Sequence, residues 1–328
     1  DAFNPLCVHP STLVRTKRGM IPIVEVTNSD YVLTHGGWCA VNATLSRDAD
    51  ETVVSLRLAL SNIQHLTLSK DHGVWAIKGR QIRSGHFEHS SSLGPMWLRA
   101  DGIGYDTFIG YPIQQITPSI PSIDLLALSG EGYIEKDGCV IRVHHSGRSA
   151  KISRHIELDE AFGEFIGFYL SEGSIGLKNG SISFAFHSKE VEFMEKIEAF
   201  ASRIGIGYTR EVDGNRAKVV VRSLVLARIL FSIFGRAKSK RLPHWILSCP
   251  EEFVRGVIRG WIFGDGHYQK DRTAIRTCTV CLDLAQGMRE ALLAFGIISS
   301  FYVTRKTDGR SPSYVVSTTS VSTDILTN

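Results

Sequence analysis

Two stretches of the chain carry apolar residues at the three- and four-residue spacing of a helix and also place glycine at every fourth position. They are 161–172 (AFGEFIGFYLSE), with Gly163 and Gly167, and 253–265 (FVRGVIRGWIFGD), with Gly256 and Gly260. Each interior glycine costs about 1 kcal/mol relative to alanine. Each stretch also ends on an acid, Glu172 or Asp265, where the helix dipole disfavours negative charge. The segments after the two stretches match as well. Ser181–His187 and Ala274–Val280 alternate apolar and polar residues like strands. Residues 190–204 and 284–295 return to helical spacing. Short β-rich runs then lie on either side of a polar turn, at 208–210 with 218–222 and at 301–304 with 314–318. The first copy continues into another apolar helix, 224–234. The pattern predicts two αββαββα copies forming one pseudo-twofold α+β domain over 159–328, with repeat one at 159–250 and repeat two at 251–328. Glu172 and Asp265 stand 93 positions apart.

A glycine at every fourth residue leaves a smooth stripe on which two helix backbones can approach closely. If the two stretches cross there, their terminal acids lie side by side. A shared divalent cation would relieve both the dipole penalty and the mutual repulsion. Residues 7–127 have a different pattern, short alternating runs broken by Gly, Asn and Asp, with Gly36-Gly37 as a hairpin signal after 31–33. That predicts an all-β region without a long helix.

Composition adds three limits. At 328 residues the chain suits two or more domains, and no apolar run is long enough to cross a bilayer. The six cysteines are too few and too scattered for a disulfide scaffold, which implies a reducing, cytoplasmic setting. The net charge of +4 is unevenly spread: residues 203–241 hold ten Lys/Arg against two acids, and 139–155 hold four basic residues and no acid. Such stretches can follow a phosphate backbone. On this basis Arg210, Arg216, Lys218, Arg222, Lys238 and Arg241 are candidate DNA contacts, joined by Arg272, Arg276 and Arg305 of the second repeat, and 128–158 reads as a linker or DNA-contacting segment.

The paired glycine–acid strings resemble the two motifs of LAGLIDADG homing endonucleases. The resemblance implies helices that form the central interface and sheets that form a saddle on a long, asymmetric duplex. It also implies a monomeric endonuclease that cleaves DNA with Mg²⁺ held at two or three sites shared by Glu172 and Asp265. The segment from 237 to 257 is similar to the Lys-x-(Ile/Leu)-Pro element of intein endonucleases, which puts Lys240 near the metals. Lys306 is the nearest match for a symmetry-related lysine. RNA maturases and DNA-binding regulators share this scaffold without cutting, so a non-cleaving binder is the alternative; the presence of both acids favours the nuclease.

The first half resembles the N-terminal part of a Hint domain, the splicing module of inteins. Cys7, Thr12-Leu13-Val14, Ser69 through His72, and Trp97 through Tyr111 carry the likeness. It departs from the family pattern with Ser69 in place of the commoner threonine and Lys70 in place of proline. The resemblance implies that Cys7 attacks the preceding carbonyl and that His72 protonates the leaving nitrogen. Residues 1–6 would then be host flank. The closing His-Asn element of inteins has no match before Asn328. The expectation is therefore a Hint region that works only with a further C-terminal segment, supplied by a split-intein fragment or otherwise missing, and a second repeat whose last helix is cut short. Cys278-x-x-Cys281 has the spacing of half a zinc site, but no second pair accompanies it. His86, His89, His144 and His145 read as solvated loop residues.

Overall fold

The computed structural model describes residues 7–34, 37–48, 52–59, 61, 65–83, 86–89, 94–110, 113, 115–142, 151–269, 274–304 and 311–318. Residues 1–6, Arg272, Arg305, Lys306, His144, His145 and the last ten positions lie outside this set. The chain divides into two compact units, Asp1–Ile113 and Gln114–Asn328. Among the described residues no helix is long and apolar enough to cross a membrane.

The described part of the first unit contains strands and two 3-10 turns. Strands Leu13–Thr16, Gly19–Pro22, Tyr31–Thr34 and Gly37–Ala40 form one antiparallel sheet, and Thr34 pairs with Gly37 across the hairpin. Gly37 has φ of +97°, a conformation open to glycine but costly for other residues. A long strand, Gly73–Arg83, pairs with Met96–Arg99 and Thr107–Ile109, and Val53–Leu56 pairs with Leu66–Ser69. Leu56, Leu68, Val74, Ala76 and Ala100 form the buried centre of this unit.

The second unit begins earlier than the hydrophobic pattern indicates. The Thr117 and Ser119 amides donate to the Leu247 and Ser248 carbonyls at 2.9 and 2.8 Å, and Ser122–Asp124 pairs with His155–Glu157. Residues 128–158, expected as a linker or DNA-contacting segment, supply strands Tyr133–Lys136, Cys139–Arg142 and Ile152–Ser153. Val140, Ile152 and Ile156 are fully buried there. Arg154 grips Asp124 through two guanidinium nitrogens and also reaches Glu135, so part of the basic excess is spent on internal pairs.

The two copies come next. In the first, helix Glu160–Glu172 leads to strands Gly173–Gly176 and Ser181–His187, helix Val191–Arg203, strands Tyr208–Asp213 and Arg216–Arg222, and helix Leu224–Phe234. The second runs through helix Glu251–Asp265, strands His267–Gln269 and Ala274–Thr279, helix Leu282–Ala294, and strands Ser299–Thr304 and Ser313–Thr318. Each copy folds its four strands into an antiparallel sheet in the same spatial order, first, second, fourth, third. The αββαββα pattern counts a first strand in each copy, but no alternation located it. These strands begin directly after the acids and are too brief to alternate.

Candidate active site

The first and second glycine helices, Glu160–Glu172 and Glu251–Asp265, cross face to face on their glycines. A β-carbon on Gly163 would stand 2.2 Å from the Phe253 carbonyl oxygen, and one on Gly256 would stand 2.3 Å from that of Glu160. One turn on, Gly260 meets the Glu164 carbonyl in the same way at 2.3 Å. No side chain fits at any of these positions, which accounts for the helix propensity given up there. Around the crossing, Phe162 stacks on Phe200 at 5.0 Å, and Phe165 meets Phe184 edge to face.

A set of charges also ties the crossing together. Lys196 donates to both oxygens of the buried Glu164 at 2.6 and 2.8 Å, and Arg259 reaches Glu160 at 2.5 Å. Glu164 is 6 % exposed. The corresponding residues of the second copy, Phe253 and Val257, are apolar, so the pairing is asymmetric.

Both helices end on their acids and pass at once into strand. Gly173 and Gly266 come directly after the acids with extended backbone, φ −81° and −80°. Close approach, rather than handedness, requires glycine here. A β-carbon would fall 2.5 Å from the Tyr169 carbonyl oxygen at Gly173 and 2.1 Å from the Ile262 carbonyl oxygen at Gly266. This tight exit holds Glu172 and Asp265 at the common end of the helix pair. Glu172 lies over the other helix, with its Cγ 3.2 Å from where a Gly264 β-carbon would be.

Among the described residues neither carboxylate accepts a hydrogen bond or lies in an ion pair. Burial, with the facing Asp265 and then Glu190 adding repulsion, pushes the Glu172 carboxyl up to about 7. Burial likewise pushes Asp265 up to about 6, against the pull of Lys240. Two half-buried acids without an ion-pair partner form a hard-oxygen donor set. Among the described residues no cluster of three or more metal-ligating side chains occurs. A pair of carboxylates suits Mg²⁺, which one or two carboxylates typically hold together with waters and substrate phosphates.

Lys240 lies beside both acids, but its geometry differs from the sequence expectation. Its ammonium donates to the carbonyls of Leu170, Ser171 and Gly173 at 3.1, 3.4 and 2.8 Å and lies 5.2 Å from the Tyr169 ring centre. All three donors are therefore used on backbone, and at 7 % exposure the side chain is buried. Burial lowers its pKa, while Asp265, Cys281 and Glu172 pull it back up. Lys240 neutralises the carbonyl end of the first glycine helix instead of pointing a free ammonium outward.

The candidate DNA contacts fall into distinct places. Arg216, Lys218 and Arg222 share the exposed face of the first sheet by alternation, cross-strand from His187, Ala185 and Ser181. Arg276 lies on the corresponding face of the second sheet, its guanidinium 5.6 Å from the Tyr302 ring centre. Arg210 does not join them. Its strand partner is the buried Val219, and its guanidinium is clamped by Glu198 of helix 191–203 at 2.5 and 2.7 Å, on the helix side of the sheet. Arg241 donates to the Ser232 carbonyl at 2.5 Å, and Lys238 is exposed in a 3-10 turn. A cleft of about 600 Å³ on the first sheet joins Glu172 to His187, Glu190, Arg216 and Lys218. Cys278 is exposed, whereas Cys281 is buried with its sulfur 3.0 Å from the Ala237 carbonyl, so the pair does not form half a metal site.

In the first unit, Cys7, Ser69 and His72 come together. The Cys7 amide donates to Ser69 Oγ at 3.3 Å, and the Ser69 amide donates to the Cys7 carbonyl at 3.0 Å. The His72 ring hydrogen-bonds the Cys7 backbone, and burial, the larger effect, lowers its pKa. Its Nδ1 is buried without a partner among the described residues. Arg47, not singled out from the sequence, donates from Nε to the Cys7 sulfur at 3.2 Å. The two stand 40 positions apart, and no periodic signal links them.

Comparison with known proteins agrees with part of this picture. A family model, the LAGLIDADG-like domain, matches residues 252–325. The chain is 30 % identical over 266 residues to the DNA-directed RNA polymerase subunit Rpo1C of Methanocaldococcus jannaschii, covering 78 % of this chain and 30 % of that protein. It is 28 % identical over 349 residues to the ATP-dependent DNA helicase Hel308 of Thermococcus kodakarensis, covering 96 % of this chain and again 30 % of the relative. The chain thus spans about a third of the length of these curated relatives. Among solved structures, a variant of the homing endonuclease I-DmoI superimposes with a TM-score of 0.39 at 12 % identity, over 52 % of this chain and 93 % of that one. The match to the LAGLIDADG-like domain takes in nearly all of the second glycine helix, Asp265 and the sheet beyond it.

Proposed function

We propose that the second unit is a site-specific DNA endonuclease of the homing type that hydrolyses phosphodiesters with divalent metal. The observation that carries this reading is the meeting of Glu172 and Asp265 at one end of a glycine-lined helix crossing, half-buried and without an ion-pair partner. Bound between them, Mg²⁺ would supply an activated water and neutralise the leaving oxygen. The chain's own residues do the rest. Gly173 and Gly266 hold the acids at the helix ends. Lys240 offsets the negative end of the first helix, which keeps the acids ionisable near neutral pH. Arg216, Lys218 and Arg222 on one sheet and Arg276 on the other offer positive charge for a duplex backbone and base edges.

The relatives support an inserted element. One chain that aligns over a single stretch with an RNA polymerase subunit and a DNA helicase, about 30 % of each, is what a segment carried within unrelated proteins would give. On this reading the first unit is the splicing part of an intein. Cys7 is the nucleophile, Ser69 orients its backbone, and His72 handles the proton.

The nuclease reading is tested on a plasmid that carries the uninterrupted host sequence. Wild-type protein with Mg²⁺ should linearise it, while Glu172→Gln and Asp265→Asn should bind the same duplex and leave both strands intact. Cutting at the wild-type rate by either variant would overturn the two-acid assignment. Binding without cutting by wild-type protein would favour the non-cleaving alternative.

A further inference from the structure

We propose that Arg47 is a positioning residue for the Cys7 nucleophile, which rests on the splicing reading of the first unit. Four contacts converge on Cys7. Ser69 fixes its backbone on both sides through the 3.3 Å and 3.0 Å hydrogen bonds, His72 meets its backbone through the ring, and Arg47 Nε donates to the sulfur at 3.2 Å. The first three orient the peptide unit, and Arg47 touches the atom that would attack.

A thiol attacks a carbonyl as thiolate, and a guanidinium beside sulfur favours the anion. Arginine stays protonated throughout, so Arg47 takes no proton and serves as fixed positive charge. The step it supports is balanced within the chain. Cys7 sulfur forms a bond to the carbonyl carbon of residue 6. The bond from that carbon to the Cys7 nitrogen breaks, and the nitrogen gains the proton that the thiol gave up. The buried Nδ1 of His72, which has no partner among the described residues, is a site for that proton in transit. No oxidant or second reactant is needed. As the thiolate charge passes into the acyl group, Arg47 loses its anionic partner, so its contribution falls on the attacking state and not on the thioester.

The experiment uses the full chain and two readouts. Alkylation by iodoacetamide is followed by mass spectrometry at the Cys7 peptide across pH 6 to 9, with exposed Cys39 of the same unit as internal control. Arg47→Met should slow Cys7 alkylation roughly three- to tenfold near pH 7 and should leave Cys39 unchanged. Arg47→Lys should restore part of the rate. Equal melting temperatures for the variants exclude loss of fold. Alkylation of Cys7 in Arg47→Met at the wild-type rate and with the wild-type pH profile would overturn the proposal. So would a rate loss shared by Cys39. Trapping of the thioester with dithiothreitol is read separately. Arg47-dependent alkylation in a wild-type chain that yields no trapped thioester even when a C-terminal intein segment is supplied would retain the Arg47–Cys7 pair and reject the splicing reading on which its role in acyl transfer depends.

Discussion

A β-carbon on Gly167 would stand 2.7 Å from the Gly260 α-carbon and 2.4 Å from the Val257 carbonyl oxygen. The two helices touch backbone to backbone at this point, with no flexible side chain between them to give way. Gly167→Ala should therefore force the crossing apart and cost about 1–3 kcal/mol or more. Gly207→Ala, with open space around it and an ordinary φ, should stay within about 0.5 kcal/mol. Urea unfolding of the two variants measures the difference, and coincident midpoints would show that the helices do not meet at Gly167.

The two raised carboxyls set a pH dependence for the metal-free protein. An acid whose folded pKa lies above its unfolded value is protonated when folded and ionised when unfolded between the two. Their contribution to stability is then fully present below about pH 4 and is lost as pH rises, through about 6 for Asp265 and about 7 for Glu172. A variant carrying both Glu172→Gln and Asp265→Asn should lose this decline and exceed wild type at pH 8, by on the order of 1–2 kcal/mol. Mg²⁺ should raise the melting temperature of wild type at pH 8 and leave the double variant unmoved. Melting curves with and without Mg²⁺ at pH 5 and 8 decide it.

Lys240 pulls both acids toward their ionised forms, so Lys240→Met should push their pKa values further up. The rising limb of cleavage rate against pH should then move to higher pH, in addition to a stability loss of about 2 kcal/mol from three carbonyls left without a charged donor. A lower rate with an unmoved pH profile would mean that Lys240 acts on the substrate and not through the acids.

Salt titration of DNA affinity separates the arginines. Neutralising Arg216, Lys218 and Arg222 together should reduce the log–log slope by roughly 0.9 for each phosphate that is no longer paired with a cation. Arg210→Gln should leave the slope where it is, because Glu198 already holds that guanidinium on the helix side. A slope that responds to Arg210 and ignores the other three would reverse this assignment of faces.

The glycine stripes and the duplicated order of elements were legible in the sequence because each leaves a periodic trace: four-residue spacing for the crossing, alternation for the second strand of each sheet. The side of Arg210 was not legible. All six residues of Tyr208–Asp213 are exposed, so no hydrophobic alternation marks which way each one faces. The saturation of Lys240 on backbone carbonyls was hidden for another reason, since it depends on where a helix 70 residues earlier ends. Glu164, Lys196 and Arg259 come from three different helices and show no spacing in common. The same holds for Arg47 and Cys7. Local pattern reports elements; meetings between charged side chains on separate elements leave no mark on it.

The two sheets share one strand order but turn different side chains outward. Arg216, Lys218 and Arg222 line one face, and Arg276 over Tyr302 lies on the other beside the hydroxyls of Ser300 and Ser317. None of these side chains takes part in the helix crossing. Substitution can therefore rework one face while the other, and the joint between the copies, stay as they are. A chimaera that grafts the first copy onto another protein's second copy has to match glycines in register on both helices, an arginine opposite Glu160, and aromatic partners for Phe162 and Phe193. The fold is thus open to being reprogrammed one half at a time.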